Sequence, residues 1–183
     1  MNRWFCCGLP ILAVVACATR PPPAPPAVTN GDTQACLAQQ PPEAACLYGR
    51  AVALGLEARA HPTRAGELLN NMLDLLTRAE SADPNYDEAG PARVRALVLI
   101  RAPSWPLGPG DTEAGLLAAR RAVTLRPNYP PNLLALAEAL ARTGDGGSAR
   151  QYYARAHEAA LALPGAADQE EWLRDADQGM QRN

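Results

Sequence analysis

The sequence predicts an all-α protein assembled from a few helix–turn–helix units, and three observations favour this fold class. Alanine and leucine dominate while aromatic residues make up only 5% of the chain, which suits closely packed helices better than strands. Apolar residues recur at helical spacing, as at Leu133, Leu136 and Leu140. The tripeptide Pro-Asn-Tyr occurs at 84–86 and again at 127–129, each time between two apolar segments, and therefore indicates an internal repeat.

The first element, residues 1–16, has the layout of a secretory signal sequence. Arg3 gives a positive start, an apolar centre follows, and small residues precede Cys17. The apolar centre is shorter than the roughly 20 residues that a membrane-spanning helix needs. Pro10 and the lack of a polar face disfavour the alternative, which is a buried amphipathic helix.

The end of this segment resembles the lipobox of bacterial lipoproteins. Val14, Val15 and Ala16 supply the aliphatic and small residues, and Cys17 takes the position of the lipidated cysteine. The resemblance implies cleavage before Cys17 and attachment of a diacylglyceryl group to its sulfur, which would anchor the protein firmly in a membrane. Because Ala18 rather than an acidic residue follows, it also implies the periplasmic face of the outer membrane of a bacterial envelope.

Residues 17–35 are predicted to form a tether. Their proline-rich run, Arg-Pro-Pro-Pro-Ala-Pro-Pro, favours a stiff polyproline conformation that would hold the folded domain away from the bilayer. We expect the folded domain over residues 36–163, followed by a capping helix over residues 164–183.

The cysteine pattern fits an oxidising compartment. Cys6 and Cys7 would leave with the signal sequence and Cys17 would carry the lipid, so that Cys36 and Cys46 remain. We expect a structural disulfide between these two, which would stabilise the fold by about 2–3 kcal/mol in the chain-entropy description. Free thiols and redox catalysis are the alternatives, although the spacing is not Cys-x-x-Cys.

Residues 129–163 resemble a tetratricopeptide repeat, which is a pair of antiparallel helices. In the second helix Ala149, Tyr153 and Ala156 match the small, aromatic and small positions of the family, and Gly144 begins the turn between the helices. In the family the small residues allow the two helices to approach closely, and the aromatic ring fills the groove between them.

Two earlier units match the repeat less closely. One would pair helices over residues 87–100 and 111–126 around an insertion at 101–109, and the other would occupy residues 43–84. Gly115 and Ala119 stand where the family has alanine and an aromatic residue, so we expect looser packing there. The resemblance implies a solenoid of about three α-α hairpins.

The last element is predicted to be a helix that caps the solenoid. Asp168 and Glu171 have the spacing of a capping box, and Trp172, Ala176 and Met180 would form its buried face. Terminal repeats need such a cap because the exposed stacking face would otherwise be apolar.

The chain offers little that would support catalysis. Its two histidines, His61 and His157, are interpreted as surface residues, and no phosphate loop, nucleophile elbow or histidine metal motif occurs. A net charge of −2 gives no electrostatic footprint for nucleic acid. We therefore expect no enzyme, no cofactor, no metal site and no nucleic-acid partner.

In tetratricopeptide proteins the first helices of successive repeats line a concave groove that holds peptides. By this resemblance the groove-facing residues are Glu88, Arg95, Val98 and Leu99 in the second unit, and Pro131, Leu134, Glu138 and Arg142 in the third. Such a mixture can bind a peptide backbone and bury one or two side chains. The alternative for Val98 and Leu134 is a core position against a neighbouring helix.

Trp105 stands in the insertion between two prolines, in a loop that should be stiff. Its ring either plugs the end of the helical stack or offers an aromatic anchor to a partner. Replacement of Trp105 by alanine distinguishes the two interpretations. Only the loss of a plug would strongly lower the thermal stability of the protein.

The sequence therefore predicts a membrane-anchored periplasmic adaptor that binds a protein or peptide partner in envelope assembly or secretion. Two alternatives remain open, namely an accessory helical-repeat subunit of a tripartite periplasmic solute transporter and a regulator of cell-wall enzymes. Because three repeats make a short groove, a homo-oligomer that completes the groove is compatible with this prediction.

Overall fold

The computed structural model describes residues 42–183, and within that range the chain is all-helical and contains no β-strand. The helices are α1 (Ala44–Ala60), α2 (Ala65–Ala82), α3 (Tyr86–Arg101), α4 (Thr112–Leu125), α5 (Pro130–Arg142), α6 (Gly146–Leu161) and α7 (Gln169–Arg182). The predicted all-α class is confirmed. The predicted signal sequence, the lipidation site Cys17, the tether and Cys36 lie outside the described residues. No helix within 42–183 combines the length and the hydropathy that a membrane crossing requires.

The helices pack in consecutive pairs, α1 with α2, α3 with α4 and α5 with α6, and α7 then packs against α6. In the α5–α6 turn, Gly144 has a φ of 89°, which a residue without a Cβ adopts readily. Asp145 caps α6 by accepting a hydrogen bond from the Ser148 amide at 3.0 Å. Asp111 caps α4 in the same way, with the Ala114 amide at 2.9 Å.

Contacts between the pairs divide the helices into two layers. Helix α3 packs against both α1 and α5, and α5 also packs against α7, so the odd-numbered helices form one layer. Helices α2, α4 and α6 pack against odd-numbered helices and form the second layer, in which an ion pair between Arg121 and Glu80 at 3.4 Å joins α4 to α2. The odd-numbered layer therefore presents a continuous face made from successive first helices.

Small side chains line the contacts between helices. Ala96, Ala119 and Ala149 are fully buried in the cluster that joins the second and third pairs. The prediction of looser packing at Gly115 is wrong, because a Cβ at this position would overlap the side chain of Ile100. The side chain of Ile100 on α3 occupies the space beside Gly115. The second pair of helices is therefore closely packed at this position.

The start of α3 differs from the predicted helix over 87–100. Asp87, Glu88 and Ala89 have φ values of 49°, 53° and 65°, which lie in the left-handed region. Pro91 gives a reason, because it donates no backbone hydrogen bond to the Asp87 carbonyl and its ring would clash with that carbonyl in a regular helix. Left-handed residues other than glycine cost roughly 1–2 kcal/mol each, so contacts elsewhere must hold this segment in place.

Helix α7 begins at Gln169, as part of the predicted capping segment, but its predicted capping box is wrong. The carboxylate of Asp168 accepts no hydrogen bond from the first turn of the helix, and the Trp172 amide bonds to the backbone carbonyl of Asp168 instead. Gln169 fixes the α6–α7 connection because its side-chain amide donates to the Ala160 carbonyl at 2.8 Å. The Arg150 guanidinium donates to the backbone carbonyl of the final residue and ties the far end of α7 to α6.

Candidate functional site

A groove of about 960 Å³ lies between α3 and α5 on one side and α7 on the other. Its apolar lining comes from Leu97, Pro131, Leu134, Tyr153 and Trp172, and charged side chains surround them. We call it the α5–α7 groove. It opens on the odd-numbered layer, where the first helices of successive pairs lie side by side.

Each of the three flanking helices contributes one face, because the lining residues recur at helical spacing. Helix α3 provides Arg93, Leu97 and Arg101; α5 provides Pro131, Leu134, Ala135, Glu138, Ala141 and Arg142; α7 provides Glu171, Trp172, Asp175, Gln178, Gly179 and Arg182. Asp168 lies just before α7, and Tyr153 reaches the groove from α6. The surface is therefore built from rigid helices rather than from loops.

Two aromatic rings are held in fixed positions at the α7 side. The Trp172 ring meets the Tyr129 ring edge to face, with the ring centroids 5.8 Å apart. The Tyr153 ring lies directly against the backbone of Gly179, where a Cβ would overlap it. Burial raises the pKa of both tyrosines above the usual value, so their hydroxyls stay neutral at physiological pH.

The charged residues of the groove are distributed unevenly. Arg101 and Glu138 form an ion pair between α3 and α5, with the Arg101 Nε 2.9 Å from a Glu138 oxygen, and this hydrogen bond raises the pKa of Arg101. Asp168, Glu171 and Asp175 form no ion pair with any residue in the described part of the chain. The α7 side thus carries negative charge that no partner within residues 42–183 neutralises by direct contact.

Two further arginines line the same groove. Arg182 donates a hydrogen bond to Gln178 at 3.2 Å, and Arg142 is exposed at the end of α5. The groove therefore offers donors and acceptors of both signs around an apolar centre. This combination suits a peptide, whose backbone is polar and whose side chains are mixed, better than it suits a purely apolar ligand.

A partly buried polar network, which includes the groove residue Arg93, holds the left-handed turn. The Arg93 guanidinium donates to the Asp87 carboxylate at 2.8 Å and to the carbonyl oxygens of Asp87 and Glu88 at 3.2 and 3.3 Å. Tyr48 donates to the same carboxylate at 2.8 Å. Burial, together with the charge of Asp87, raises the pKa of Tyr48 above its usual range, so it remains a donor.

Asn132 joins this network to the third pair of helices. It is 0% exposed, its side-chain oxygen accepts a hydrogen bond from Arg93 at 3.1 Å, and its amide donates to the Glu88 carbonyl at 3.0 Å. The same amide also lies 3.3 Å from the carbonyls of Ala122 and Arg126. One buried side chain therefore connects α3, α4 and α5, and fixes the position of Arg93 beside the groove.

The predicted groove residues divide by helix. The four on α5, Pro131, Leu134, Glu138 and Arg142, line the α5–α7 groove, whereas Glu88, Arg95, Val98 and Leu99 do not. Glu88 pairs with Arg126 at 2.9 Å, and Arg95 pairs with Glu80 of α2 at 3.1 Å. Val98 packs against the core of the first pair, and the Leu99 carbonyl accepts a hydrogen bond from the Asp111 amide. The predicted residues of α3 therefore lie on a different face of the helix from the one that lines the groove.

Sequence reasoning missed the contributions of α3 and α7. On α3 the lining residues are Arg93, Leu97 and Arg101, whose four-residue spacing is visible in the sequence once the left-handed turn shifts the start of the helix. On α7 the sequence places the acidic residues Glu171 and Asp175 close to Trp172, which indicates a helix surface that is both acidic and aromatic. Nothing local shows that this side turns toward α5.

Trp105 does not plug the helical stack. Its side chain is 88% exposed, and that of Leu107 is 77% exposed. The loop that carries them is closed by a hydrogen bond from the Gly110 amide to the Pro103 carbonyl at 2.9 Å. An ordered loop therefore displays two apolar side chains to solvent, and the interpretation of Trp105 as a partner anchor stays a prediction.

The remaining candidates lie away from the groove. Cys46 is buried and disulfide-bonded, and its predicted pairing with Cys36 involves a residue outside the described range. His61 is exposed, and His157 lies 3.5 Å from Asp177. Within residues 42–183, no group of three or more histidine, cysteine, aspartate or glutamate side chains is arranged to hold a metal ion.

Comparison with known proteins adds no family to this description. The sequence matches no protein-family model and no curated protein.

Proposed function

We propose that the protein is a membrane-anchored adaptor of the tetratricopeptide type, which holds an extended peptide of a partner protein in the α5–α7 groove. The observation that carries this proposal is the groove itself, with an apolar centre, fixed aromatic rings and charged side chains of both signs on rigid helices. Surfaces of this composition are typical of protein recognition, where aromatic anchors and charged neighbours act together.

The order of helix contacts supports the tetratricopeptide-like part of the proposal. In a repeat of this type each first helix packs against its own second helix and against the next first helix, as α1, α3 and α5 do here. The small signature positions of the third unit are consistent with it, because Ala149 and Ala156 are both fully buried. In this description the protein has three hairpins, and α7 acts as the cap.

The size of the groove suits a short extended segment. Helix α5 has 13 residues and is therefore about 20 Å long. An extended peptide advances roughly 3.3 Å per residue, so the groove accommodates about six residues. Such a segment would place one apolar side chain near Leu134 and Trp172 while its basic side chains meet the carboxylates of α7.

The proposed location depends on the amino-terminal sequence. Cleavage before Cys17 and lipidation of its sulfur would place the domain at the periplasmic face of the outer membrane, where the partner would belong to envelope assembly or secretion machinery. Incorporation of labelled palmitate tests this part. We expect label in the wild-type chain and none in Cys17→Ser, which should also leave the membrane fraction; equal labelling of both chains would contradict lipidation at this cysteine.

Partner retention tests the groove. We expect Leu134→Arg to abolish co-purification of the partner from native membranes, because a charged side chain replaces the apolar centre of the groove. The matched control is Leu117→Arg, a 69% exposed leucine on α4 in the other layer. Equal retention by both variants, each with a wild-type circular dichroism spectrum, would exclude the α5–α7 groove as the binding surface.

A further inference from the structure

We propose that the chain's own proline-rich segment, residues 20–28, occupies the α5–α7 groove until a partner peptide displaces it. The inference rests on the proposed function, since it concerns the regulation of the same groove. The segment reads Arg-Pro-Pro-Pro-Ala-Pro-Pro-Ala-Val and precedes the described residues. The aromatic lining, the charge of the groove, its length and the reach of the chain each support this occupant.

The aromatic residues of the groove match the chemistry of a proline-rich ligand. Segments of this kind dock in grooves lined by aromatic side chains, because the polyproline conformation is already formed and its ordering costs little entropy. Trp172 and Tyr153 provide two such rings, held in place by Tyr129 and by the backbone of Gly179. The ring of Pro131 extends the apolar lining on the opposite side.

The charges are complementary. Arg20 begins the segment and is the only charged residue between Arg3 and Asp32. Asp175, like its acidic neighbours Asp168 and Glu171, lines the groove without forming an ion pair within residues 42–183. An arginine at one end of an otherwise uncharged, proline-rich segment is therefore a suitable partner for this acidic side.

The dimensions agree as well. A polyproline helix advances about 3.1 Å per residue, so residues 20–26 would span about 22 Å. This length is close to that of α5, which borders the groove along its 13 residues. The prolines would lie along the apolar lining, with Arg20 at one end.

The intervening chain is long enough to allow docking within one molecule. Residues 29–41 can span up to about 45 Å when extended. Neighbouring helices lie about 8–10 Å apart, so the groove lies about 20–30 Å from α1 across the odd-numbered layer. Even with Cys36 tied to Cys46, residues 29–35 still span about 25 Å.

Binding within one molecule would weaken the capture of a partner peptide measurably. A short flexible connection gives an effective concentration of about 1 mM. If the isolated segment binds with a Kd of about 100 µM, the groove is occupied roughly nine-tenths of the time, and an added peptide binds about tenfold more weakly.

The test measures the binding of a fluorescent synthetic peptide with the sequence of residues 18–30 to the full chain, followed by anisotropy. The wild-type chain is compared with a variant in which the segment keeps its length but serine replaces Pro21, Pro22, Pro23, Pro25 and Pro26. We expect the serine variant to bind the peptide about tenfold more tightly than the wild type, because its groove is free.

A charge exchange shows where the peptide binds. Asp175 is exposed, so Asp175→Arg should leave the fold intact, as circular dichroism can check. In the serine variant we expect Asp175→Arg to weaken the binding of the wild-type peptide by about tenfold. A peptide that carries Arg20→Glu should bind this double variant with the original affinity. Loss without recovery would contradict the proposed contact between Arg20 and the acidic side.

The other outcomes are equally decisive. Equal peptide affinity in the wild-type and serine chains would overturn occupancy by the segment. Binding to neither chain would overturn the inference while leaving the proposed function to the Leu134→Arg experiment. A wild-type affinity that weakens as the protein concentration rises would show that the segment of a second copy, and not the chain's own, fills the groove.

Discussion

The third pair of helices, α5–α6, and the second pair, α3–α4, are built from similar residues but are held together differently. A short turn closes α5–α6, with Gly144 in the left-handed region and Asp145 as the cap. In α3–α4 a long loop carries Trp105, and three left-handed residues precede the regular part of the first helix. Small apolar side chains pack both pairs, but the first helix of the second pair is also held by a polar network whose members Tyr48 and Asn132 come from the other pairs.

The comparison shows which features of the fold are local and which are not. The turn and cap of α5–α6 involve residues that are neighbours in the sequence, so the same segment specifies and stabilises them. The left-handed turn of α3 is held by Tyr48, Arg93 and Asn132, which come from three different helices. Its geometry therefore depends on the assembly of all three pairs.

Loss of the buried amide should have the largest effect. We expect Asn132→Ala to lower the free energy of unfolding by about 3 kcal/mol, because it removes the buried hydrogen bonds that this side chain makes with the Arg93 guanidinium and with the Glu88 carbonyl. Denaturant-induced unfolding measures this change. Asn128→Ala, at an exposed position just before α5, is the control and should change stability little. Equal effects of the two substitutions would contradict the role of the network.

Two glycine-to-alanine substitutions, one in each pair, should change the free energy of unfolding in opposite directions. Gly115→Ala should destabilise by about 1–3 kcal/mol, since its new methyl group overlaps Ile100. Gly147→Ala in α6 should stabilise by about 0.5–1 kcal/mol, because the site is open and alanine favours helix. Thermal and denaturant unfolding can measure both. A stabilising Gly115→Ala would show that α3 and α4 are not as close as described.

The cap of the third pair should make stability depend on pH. Hydrogen bonding to the Ser148 amide lowers the pKa of Asp145 below its usual value of 3.8. A lowered carboxylate pKa contributes stability above the unfolded-state value, and this contribution is lost as the pH falls through the folded-state pKa. Asp145→Asn keeps a capping oxygen without titrating. We expect its unfolding free energy to fall less steeply below about pH 4; an unchanged slope would argue against this cap.

Trp105 should contribute least to stability. Because its side chain is almost fully exposed, Trp105→Ala should change the free energy of unfolding by no more than about 0.5 kcal/mol. If the residue anchors a partner, the same substitution should weaken partner retention while the melting temperature stays constant. A large fall in melting temperature would restore the interpretation of Trp105 as a plug.

Much of the helical framework could be predicted from the sequence because the signals are local. The apolar spacing of Leu47, Ala51 and Leu54 indicates the buried face of α1, and the Gly144 turn indicates the boundary between α5 and α6. The α5 side of the groove could also be predicted, since Leu134 and Glu138 follow from the phase of a regular helix.

The rest of the groove could not be predicted because it depends on contacts between distant residues. The left-handed turn changes where regular α3 begins, so Arg93 and Leu97 face the groove where Arg95 and Val98 were expected. The direction of α7 follows from the close contact between Gly179 and Tyr153, which no local pattern shows.

The central claim, that partners bind the groove of the odd-numbered layer, can be tested most directly by a photo-crosslinking scan in native membranes. A crosslinking residue is placed in turn at Leu97, Leu134 and Glu138 in the groove, and at Leu117, Arg121 and Thr124 on α4. We predict adducts, to a partner or to residues 20–28, from the groove positions and none from α4. Equal adducts from both sets, or adducts from α4 alone, would contradict the account.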